Sequence, residues 1–123
     1  MNTRTRGRAA EALAAVYLMM KGLRFVARNY RCRAGEIDLI MRSRRPDLLI
    51  IVEVRYRRHS RFGGAVASVT SAKQKRILRA AALFLRQDPR FAAIPLRFDV
   101  LGIEGALWRP QIRWIRNAFE SES

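Results

Sequence analysis

The chain has 123 residues, of which 25 are Lys or Arg and 10 are Asp or Glu, and its formal net charge at pH 7 is +15. This length indicates a single domain over residues 1–123. Hydrophobic residues make up 50% of the sequence, which excludes a disordered basic tail. The charge predicts a polyanionic partner, most simply nucleic acid.

The N-terminal region and the single cysteine indicate in which cellular compartment the protein is expected. Cys32 alone excludes an internal disulfide and a zinc site built from several cysteines. The apolar stretch Ala9–Met20 follows several arginines and loosely resembles a signal peptide, but Glu11 interrupts it and Lys21 stands where a small residue would mark the cleavage site. It is also shorter than the roughly 20 apolar residues that cross a bilayer. We therefore expect a cytoplasmic protein with no membrane partner.

A helix and three strands are predicted in the first half of the chain. Helical spacing predicts an α-helix over Gly7–Met20. Its predicted apolar face consists of Leu13, Val16, Tyr17 and Met20. Strands are predicted over Leu23–Arg33, Glu36–Met41 and Leu48–Val54, with a polar loop at Arg42–Asp47. The last strand is an almost continuous apolar run, which is typical of a strand covered on both faces.

A basic loop, a long helix and two strands are predicted to follow. The loop is Tyr56–Gly64, and the helix extends from a cap at Thr70 or Ser71 to about Gln87. Its predicted buried stripe consists of Ile77, Ala80, Ala81, Phe84 and Leu85. The last two strands are predicted over Arg97–Ile103 and Gln111–Ile115. The order α-β-β-β-α-β-β indicates an α/β fold with a central mixed sheet of about five strands flanked by helices.

Acidic residues on neighbouring strands are the first candidates for a functional site. Glu53 ends an otherwise apolar strand, so it must lie near the exposed strand end, be paired, or bind a cation. Asp38 shares a strand face with Glu36, and it approaches Glu53 if the two strands form a hairpin. Converging carboxylates repel each other unless arginines or a divalent metal neutralise them, and such oxygen ligands suit Mg²⁺ or Mn²⁺. An ion pair between Glu53 and Arg55 is the structural alternative.

Several strings of the sequence resemble one known family. They are RGRAAE at 6–11, GEIDLI at 35–40, IVEVR at 51–55 and RFDV at 97–100. Together they are similar to the YraN-like family of uncharacterised small bacterial proteins, over roughly Gly7 to Phe119. That family resembles the restriction-endonuclease-like PD-(D/E)xK superfamily, close to archaeal Holliday-junction resolvases. The resemblance implies a core of order α-β-β-β-α-β, which agrees with the predicted elements.

The resemblance also implies an activity, namely metal-dependent hydrolysis of phosphodiester bonds in DNA, branched or with single-stranded parts. Asp38 matches the first metal-binding aspartate of the family and Glu53 matches the second acid. The carbonyl of Val54 and the carboxylate of Glu11 would complete a site for Mg²⁺ or Mn²⁺. Glu36 lies beside the motif and is assigned a supporting role.

Arg55 departs from the family motif, which has lysine at this catalytic position. Arginine keeps the positive charge that stabilises a phosphate, but it does not readily release a proton. Two hypotheses therefore remain open: an active nuclease, and a non-catalytic nucleic-acid-binding protein with a degenerate nuclease fold. A weaker third is an acidic protein partner. Asp99, in another family string, is expected to be a structural carboxylate bonded to backbone or to Arg97.

Basic and aromatic residues next to the acids predict a nucleic-acid surface. Arginines interleaved with aromatics suit phosphate contacts and base stacking. The predicted contacts are Tyr56, Arg57, Arg58, His59, Arg61, Phe62, Lys73 and Arg76. Trp114 alternates with Ile112 and is expected in the core, whereas Trp108 is left open between core and surface. Because resolvases cut a four-way junction symmetrically, the resemblance also implies a homodimer.

Overall fold

The computed structural model describes residues 3–57 and 66–120. Two long helices, two short 3₁₀ turns and five strands make up this part of the chain. In chain order they are α1 (Thr3–Met20), β1 (Arg24–Cys32), β2 (Gly35–Arg44), β3 (Asp47–Arg57), a 3₁₀ turn (Val66–Ser68), α2 (Ser71–Gln87), a second 3₁₀ turn (Pro89–Phe91), β4 (Leu96–Glu104) and β5 (Gln111–Phe119). The predicted order and the α/β class are confirmed.

The five strands form one mixed sheet in the order β1-β2-β3-β4-β5. Neighbouring strands are antiparallel except β3 and β4, which are parallel and are connected through α2. A parallel pair brings the carboxyl ends of its strands to the same edge of the sheet. The residues that end β3 and the turn that follows β4 are therefore neighbours.

The β2–β3 hairpin is longer than the sequence predicts. The expected polar loop Arg42–Asp47 is wrong, because β2 continues to Arg44 and β3 already begins at Asp47. Arg42 donates two hydrogen bonds to the Asp47 carboxylate, at 3.1 and 3.3 Å, which ties the end of the hairpin together. Polar residues at the exposed end of a long hairpin have the composition of a loop, and this explains the error. β5 is longer than predicted in the same way and ends at Phe119.

Helix α1 covers one face of the sheet with a face that the sequence predicts only in part, since Leu13 and Tyr17 pack against the core as predicted. Its buried residues are Ala10, Ala14, Ala15 and Leu18, whereas Val16 is 49% exposed and Met20 is 81% exposed. The three alanines and Leu18 pack with six buried residues of the sheet, namely Leu39, Met41, Ile50, Val52, Leu101 and Ile103. Small alanine side chains let the helix lie close to the sheet, so the large apolar residues do not decide which face is buried.

Helix α2 covers the opposite face, as its apolar stripe predicts. Ile77, Ala80, Ala81 and Phe84 are buried, and Leu85 is half-buried against the same core cluster. Thr70 is the N-cap, since its hydroxyl accepts a hydrogen bond of 3.2 Å from the backbone N–H of Lys73. Within the described ranges, neither helix is long and apolar enough to span a membrane.

Candidate metal and nucleic-acid site

Asp38 and Glu53 lie side by side on β2 and β3. The last regular pair of the β2–β3 ladder is Leu39 with Val52, and the two acids stand one residue beyond it. The backbone N–H of Val54 donates a hydrogen bond of 2.9 Å to Oδ2 of Asp38, which fixes this carboxyl against β3. The hairpin thus brings together the two acids that the sequence analysis singles out.

The environment of Asp38 opposes its ionisation. Burial is the largest cause, and the nearby charge of Glu53 is the next, so the pKa of Asp38 is raised from 3.8 to about 8. Glu11 raises the pKa further, whereas the hydrogen bond from Val54 and the charge of Lys73 lower it. Lys73 and the Val54 hydrogen bond therefore offset only part of the rise in the pKa of Asp38.

Glu53 is the more deeply buried of the two acids and is only 3% exposed. The Nζ atom of Lys73 lies 2.6 Å from its Oε1 atom, and Nη1 of Arg55 lies 3.6 Å from the same oxygen. The lysine contact is close but does not have hydrogen-bond geometry, and Oε1 has no hydrogen-bond partner in the described part of the chain. Glu53 is therefore ion-paired without a well-directed hydrogen bond, and a metal ion at Oε1 would compete with Lys73 for this oxygen.

Arg55 is directed mainly to the chain that enters α2 rather than to the acids. Its Nε donates to the hydroxyl of Ser68 at 2.9 Å, and its Nη2 donates to the Ser68 carbonyl at 3.3 Å. Lys73, from the first turn of α2, is therefore the cation closest to Glu53. The sequence analysis did not find this contact. A signal was available, because a lysine in the first turn of a helix opposes the helix dipole and so indicates an anionic partner.

Glu11 reaches the same cluster from α1. It precedes Ala14, Ala15 and Leu18 by three, four and seven positions, so it lies on the buried face of the helix. With its amide nitrogen turned toward Glu11, Asn29 donates to both carboxylate oxygens, at 2.6 and 3.1 Å. Burial raises the pKa of Glu11, Arg28 lowers it, and Glu36 and Glu53 raise it again.

A cavity of about 250 Å³ opens beside the two acids, between β2 and α2. Its lining residues are Glu36, Asp38, Lys73, Arg76 and Ile77. Glu36 is exposed and lies 3.8 Å from Arg31, so it contributes charge at the rim. Gly35 has a φ of +152°, and a Cβ atom there would come within 3.3 Å of Cβ of Arg76. This glycine therefore permits the close approach of α2 to β2 that forms the cavity.

The donor atoms of the cluster fit a hydrated hard cation. No group of three or more His, Cys, Asp or Glu side chains within residues 3–57 and 66–120 is arranged to hold a metal ion. Mg²⁺, however, usually keeps several waters and uses only one or two carboxylates together with substrate phosphates. Asp38 and Glu53 supply two such carboxylates, and among residues 3–57 and 66–120 no donor makes a hydrogen bond to the buried Oε1 atom of Glu53. The residues present are therefore compatible with Mg²⁺ or Mn²⁺.

The residues predicted to contact nucleic acid divide into three groups. Lys73 and Arg76 line the cavity beside the acids. Tyr56 and Arg57 are half-buried at the end of β3, and both bond to Gly105 in the turn after β4. The remaining residues lie outside the described part of the chain; they are Arg58, His59, Arg61 and Phe62. Contact of all three groups with nucleic acid stays a prediction.

Asp99 has a different environment, on β4. It is fully buried and accepts two hydrogen bonds from Arg97, at 2.9 and 2.8 Å, one from Nε1 of Trp114 at 2.9 Å, and one from the backbone N–H of Asn117 at 2.9 Å. The expectation that it is a structural carboxylate is confirmed. Trp114 is half-buried in the core, as predicted, whereas Trp108 is 83% exposed.

Comparisons with known proteins agree with the resemblance to the YraN-like family. The family model "Uncharacterised protein family UPF0102" matches residues 10–103. A UPF0102 protein of Stutzerimonas stutzeri is 50% identical over 115 residues, with 94% of each chain covered. A UPF0102 protein of Nitrosococcus oceani is 48% identical over 120 residues, which cover 98% of this chain and 95% of that protein.

Among solved structures, Pyrococcus furiosus SfsA in complex with Ca²⁺ is similar at a TM-score of 0.32 and 13% sequence identity. The match covers 94% of this chain and 64% of the SfsA chain. The family match and the close relatives extend over most of the chain. The protein therefore belongs to the Uncharacterised protein family UPF0102.

Proposed function

We propose that the protein is a nuclease that hydrolyses phosphodiester bonds of DNA, branched or with single-stranded parts, and that uses Mg²⁺ or Mn²⁺. The observation that carries the proposal is the pair of adjacent acids: Glu53 is buried, and its Oε1 has the Lys73 ammonium at 2.6 Å but no hydrogen-bond partner in the part of the chain that the structure describes. It stands beside Asp38, whose pKa is raised to about 8 by burial and by Glu53 itself. Two crowded carboxylates in a protein of net charge +15 are an expensive arrangement that a bound cation would relieve.

Asp38 and Glu53 would hold the metal, with the Val54 carbonyl and Glu11 as further donors. When bound, such a metal polarises the scissile phosphate and lowers the pKa of a bound water. The N–H of Val54 keeps Asp38 in place through its 2.9 Å hydrogen bond. Lys73 is free to turn from Glu53 to the phosphate, where its ammonium would stabilise the developing negative charge.

Arg55 has a positioning role in this proposal. Its guanidinium joins the end of β3 to Ser68, just before the N-cap of α2 at Thr70. It thereby holds the start of α2, and with it Lys73, against the acids. The family motif has a lysine at the position of Arg55 on the strand. In this chain Lys73 on α2 would supply the lysine charge beside the acids instead. Arg55 would act through Lys73 rather than on the phosphate alone.

The surroundings of the acids favour a phosphate-containing substrate. Lys73 and Arg76 line the cavity next to Asp38, and the chain as a whole carries a large positive charge. Such a surface attracts the sugar-phosphate backbone without reading bases. A backbone phosphate at the cavity would contact these cations and the proposed metal together.

A cleavage assay with matched variants tests the proposal. Branched, flapped and single-stranded DNA are incubated with the protein in Mg²⁺, in Mn²⁺ and in EDTA. We expect metal-dependent cutting that Asp38→Asn and Glu53→Gln abolish. Asp47→Asn is the control, because Asp47 is exposed at the opposite end of the same hairpin, and it should leave cutting unchanged. Cutting that persists in the Asp38 and Glu53 variants would indicate a contaminant and contradict the assignment.

The ion pair at Glu53 favours a second candidate function, a non-catalytic nucleic-acid-binding protein. In this alternative Lys73 neutralises Glu53 permanently, at the observed 2.6 Å, and no metal enters. Tight, salt-sensitive DNA binding with no cleavage in any metal would support it. Arg55→Lys separates the two functions further, because gained cleavage would show that this substitution alone silences the site.

A further inference from the structure

The turn between β4 and β5 presents an exposed tryptophan. Trp108 is 83% exposed, whereas Trp114 on the adjoining strand is half-buried and uses its Nε1 to bond Asp99. Tryptophan is highly buried on average, and an exposed ring on a turn is available to stack on a planar ligand. Whether a ligand fits it depends on the surroundings of the turn.

Trp108 lies on a turn that several hydrogen bonds hold in place. The carbonyl of Gly105 accepts a hydrogen bond of 2.9 Å from the Tyr56 hydroxyl. The N–H of Gly105 donates a hydrogen bond of 3.1 Å to the Arg57 carbonyl. Within the turn, the N–H of Arg109 donates to the carbonyl of Ala106 at 2.9 Å. These bonds connect the turn to the end of β3, so Trp108 is held at a defined place on the surface.

The turn lies on the same edge of the sheet as the acidic cluster. The parallel β3–β4 register pairs Glu53 with Val100 and Arg57 with Glu104, one residue before the turn begins. Four residues of strand separate Glu53 from Arg57, a distance of about 13 Å at roughly 3.3 Å per residue. DNA that rises 3.4 Å per base pair covers this distance in about four base pairs. One DNA molecule could therefore contact both places.

The charges around Trp108 match a nucleic acid. Arg109 follows it in the chain and is exposed, and Arg113 is exposed on β5 just beyond the turn. Glu104 is the acid nearest to Trp108 and Arg109 in the chain and is half-buried at the end of β4. Arginines beside an exposed aromatic ring suit phosphates that flank a stacked base. A nucleotide supplies a base for the ring and a phosphate for the arginines together, and this favours a nucleic acid as the ligand.

We infer that Trp108 is a stacking platform for an unpaired base of bound DNA, with Arg109 and Arg113 on the flanking phosphates. The inference rests on the proposed function in that DNA is the ligand, and it specifies the substrate class as DNA with an unpaired end, flap or fork. It does not require the protein to cleave. A duplex without unpaired bases gains only the phosphate contacts at this turn.

Binding measured in EDTA tests the inference separately from cleavage. Fluorescence anisotropy compares wild type and Trp108→Ala on flapped, single-stranded and blunt duplex DNA. We expect Trp108→Ala to bind the first two about 10-fold more weakly and to bind the blunt duplex as wild type does. Trp108→Phe should recover most of the lost affinity. Met20→Ala is the matched control, since Met20 is 81% exposed on α1, and it should bind every DNA as wild type does.

Intrinsic fluorescence gives a second readout of the stacked state. Single-stranded DNA should quench wild-type tryptophan emission, and the quenching should be absent in Trp108→Ala. Equal affinity of wild type and Trp108→Ala for flapped DNA overturns the inference, and so does an equal loss on all three DNAs. If wild type cleaves while Trp108→Ala binds normally, the inference fails and the nuclease proposal stands. If Trp108→Ala loses flap binding in a protein that never cleaves, the inference stands and the nuclease proposal fails.

Discussion

Two buried carboxylates on adjacent parallel strands have opposite surroundings. Asp99 on β4 is fully buried and accepts four hydrogen bonds, from Arg97, Trp114 and Asn117. Glu53 on β3 is 3% exposed, and its Oε1 has an ammonium nearby but no hydrogen-bond partner in the described ranges. The two acids are therefore alike in burial and differ in the completeness of their hydrogen bonding.

The difference arises from the neighbours that each strand provides. Arg97 is two residues before Asp99 and shares its face of β4, so the cation comes with the strand. The β4–β5 register shifts between Phe98 and Val100, and this irregularity brings the N–H of Asn117 to the carboxylate. Beside Glu53, the neighbouring strand supplies a second acid, Asp38, instead of a donor. The cations near Glu53 are Arg55, two residues further along β3 at 3.6 Å, and Lys73 of α2 at 2.6 Å, and neither gives Oε1 a hydrogen bond within the described ranges.

The largest expected effect contrasts isosteric amides at the two acids. Asp99→Asn should lower the free energy of unfolding by about 3–5 kcal/mol, because it leaves the Arg97 guanidinium without its carboxylate. Glu53→Gln should lower it by less than about 1 kcal/mol, because a poorly compensated buried charge is removed and Lys73 can turn to solvent. Urea unfolding followed by circular dichroism measures both values. A larger loss for Glu53→Gln than for Asp99→Asn would contradict the contrast.

The next effect concerns Lys73 and the rate of cleavage. In the nuclease that we propose, Lys73→Met should reduce the cleavage rate by about 100-fold, because the closest cation to the acids is lost. Lys73→Arg should recover part of the rate. Lys75→Met is the control, since Lys75 is exposed two positions further along α2. An unchanged rate in Lys73→Met, measured on the DNA that wild type cuts best, would remove Lys73 from the reaction.

Asp38 gives a prediction on pH. Its pKa is about 8 in the folded chain and 3.8 without the fold. Between these values the folded state keeps a proton that the unfolded state has lost, so this group's contribution to stability is complete below pH 3.8 and is lost as the pH rises through about 8. Asp38→Asn should remove this dependence and become more stable than wild type as the pH rises toward 8.

Urea unfolding of wild type and Asp38→Asn, between about pH 5 and pH 8, checks this prediction. The amide oxygen of the variant can still accept the hydrogen bond from Val54, so the hairpin is preserved. The advantage of the variant should grow with pH. An advantage that is constant across the range would show that the carboxyl of Asp38 ionises normally in the fold.

The smallest effect is expected at the exposed acid of the same hairpin. Asp47 pairs with Arg42 at 3.1 Å, but its side chain is 54% exposed. Asp47→Asn should therefore change the free energy of unfolding by less than about 0.5 kcal/mol. Asp47→Asn also serves as the reference variant for Asp38→Asn, because it changes the same side chain at the other end of the same hairpin. A cost above 1 kcal/mol would show that exposure is a poor guide to the energy of acids in this sheet.

Much of the fold can be predicted from the sequence because periodicity and turn residues are local signals. The order of elements, the cap at Thr70 and the stripe of α2 are of this kind. The buried face of α1 is not, because alanine carries no strong hydrophobic signal and the large residue Met20 is exposed. The polar ends of β2 and β3 have the composition of a loop, so the hairpin is longer than predicted.

The candidate site is predictable in part for the same reason. Asp38 and Glu53 lie on neighbouring strands, each one residue beyond the Leu39–Val52 pair. An antiparallel hairpin in this register therefore places the two acids opposite each other. Lys73 meets Glu53 only because α2 packs on the sheet, and this contact depends on tertiary structure. The bonds of Arg55 to Ser68 are likewise set by the path of the chain into α2. Strand pattern predicts the acids, whereas the cations that oppose them require the fold.

Binding of Mn²⁺ to the purified protein, followed by electron paramagnetic resonance, tests most directly whether the acid pair is a cation site. If it is, wild type binds one Mn²⁺, and Asp38→Asn and Glu53→Gln each weaken binding by more than about 10-fold. Asp47→Asn should bind as wild type does. Absence of Mn²⁺ binding in wild type, or binding that Glu53→Gln leaves unchanged, would contradict the assignment and leave Glu53 as one half of an ion pair with Lys73.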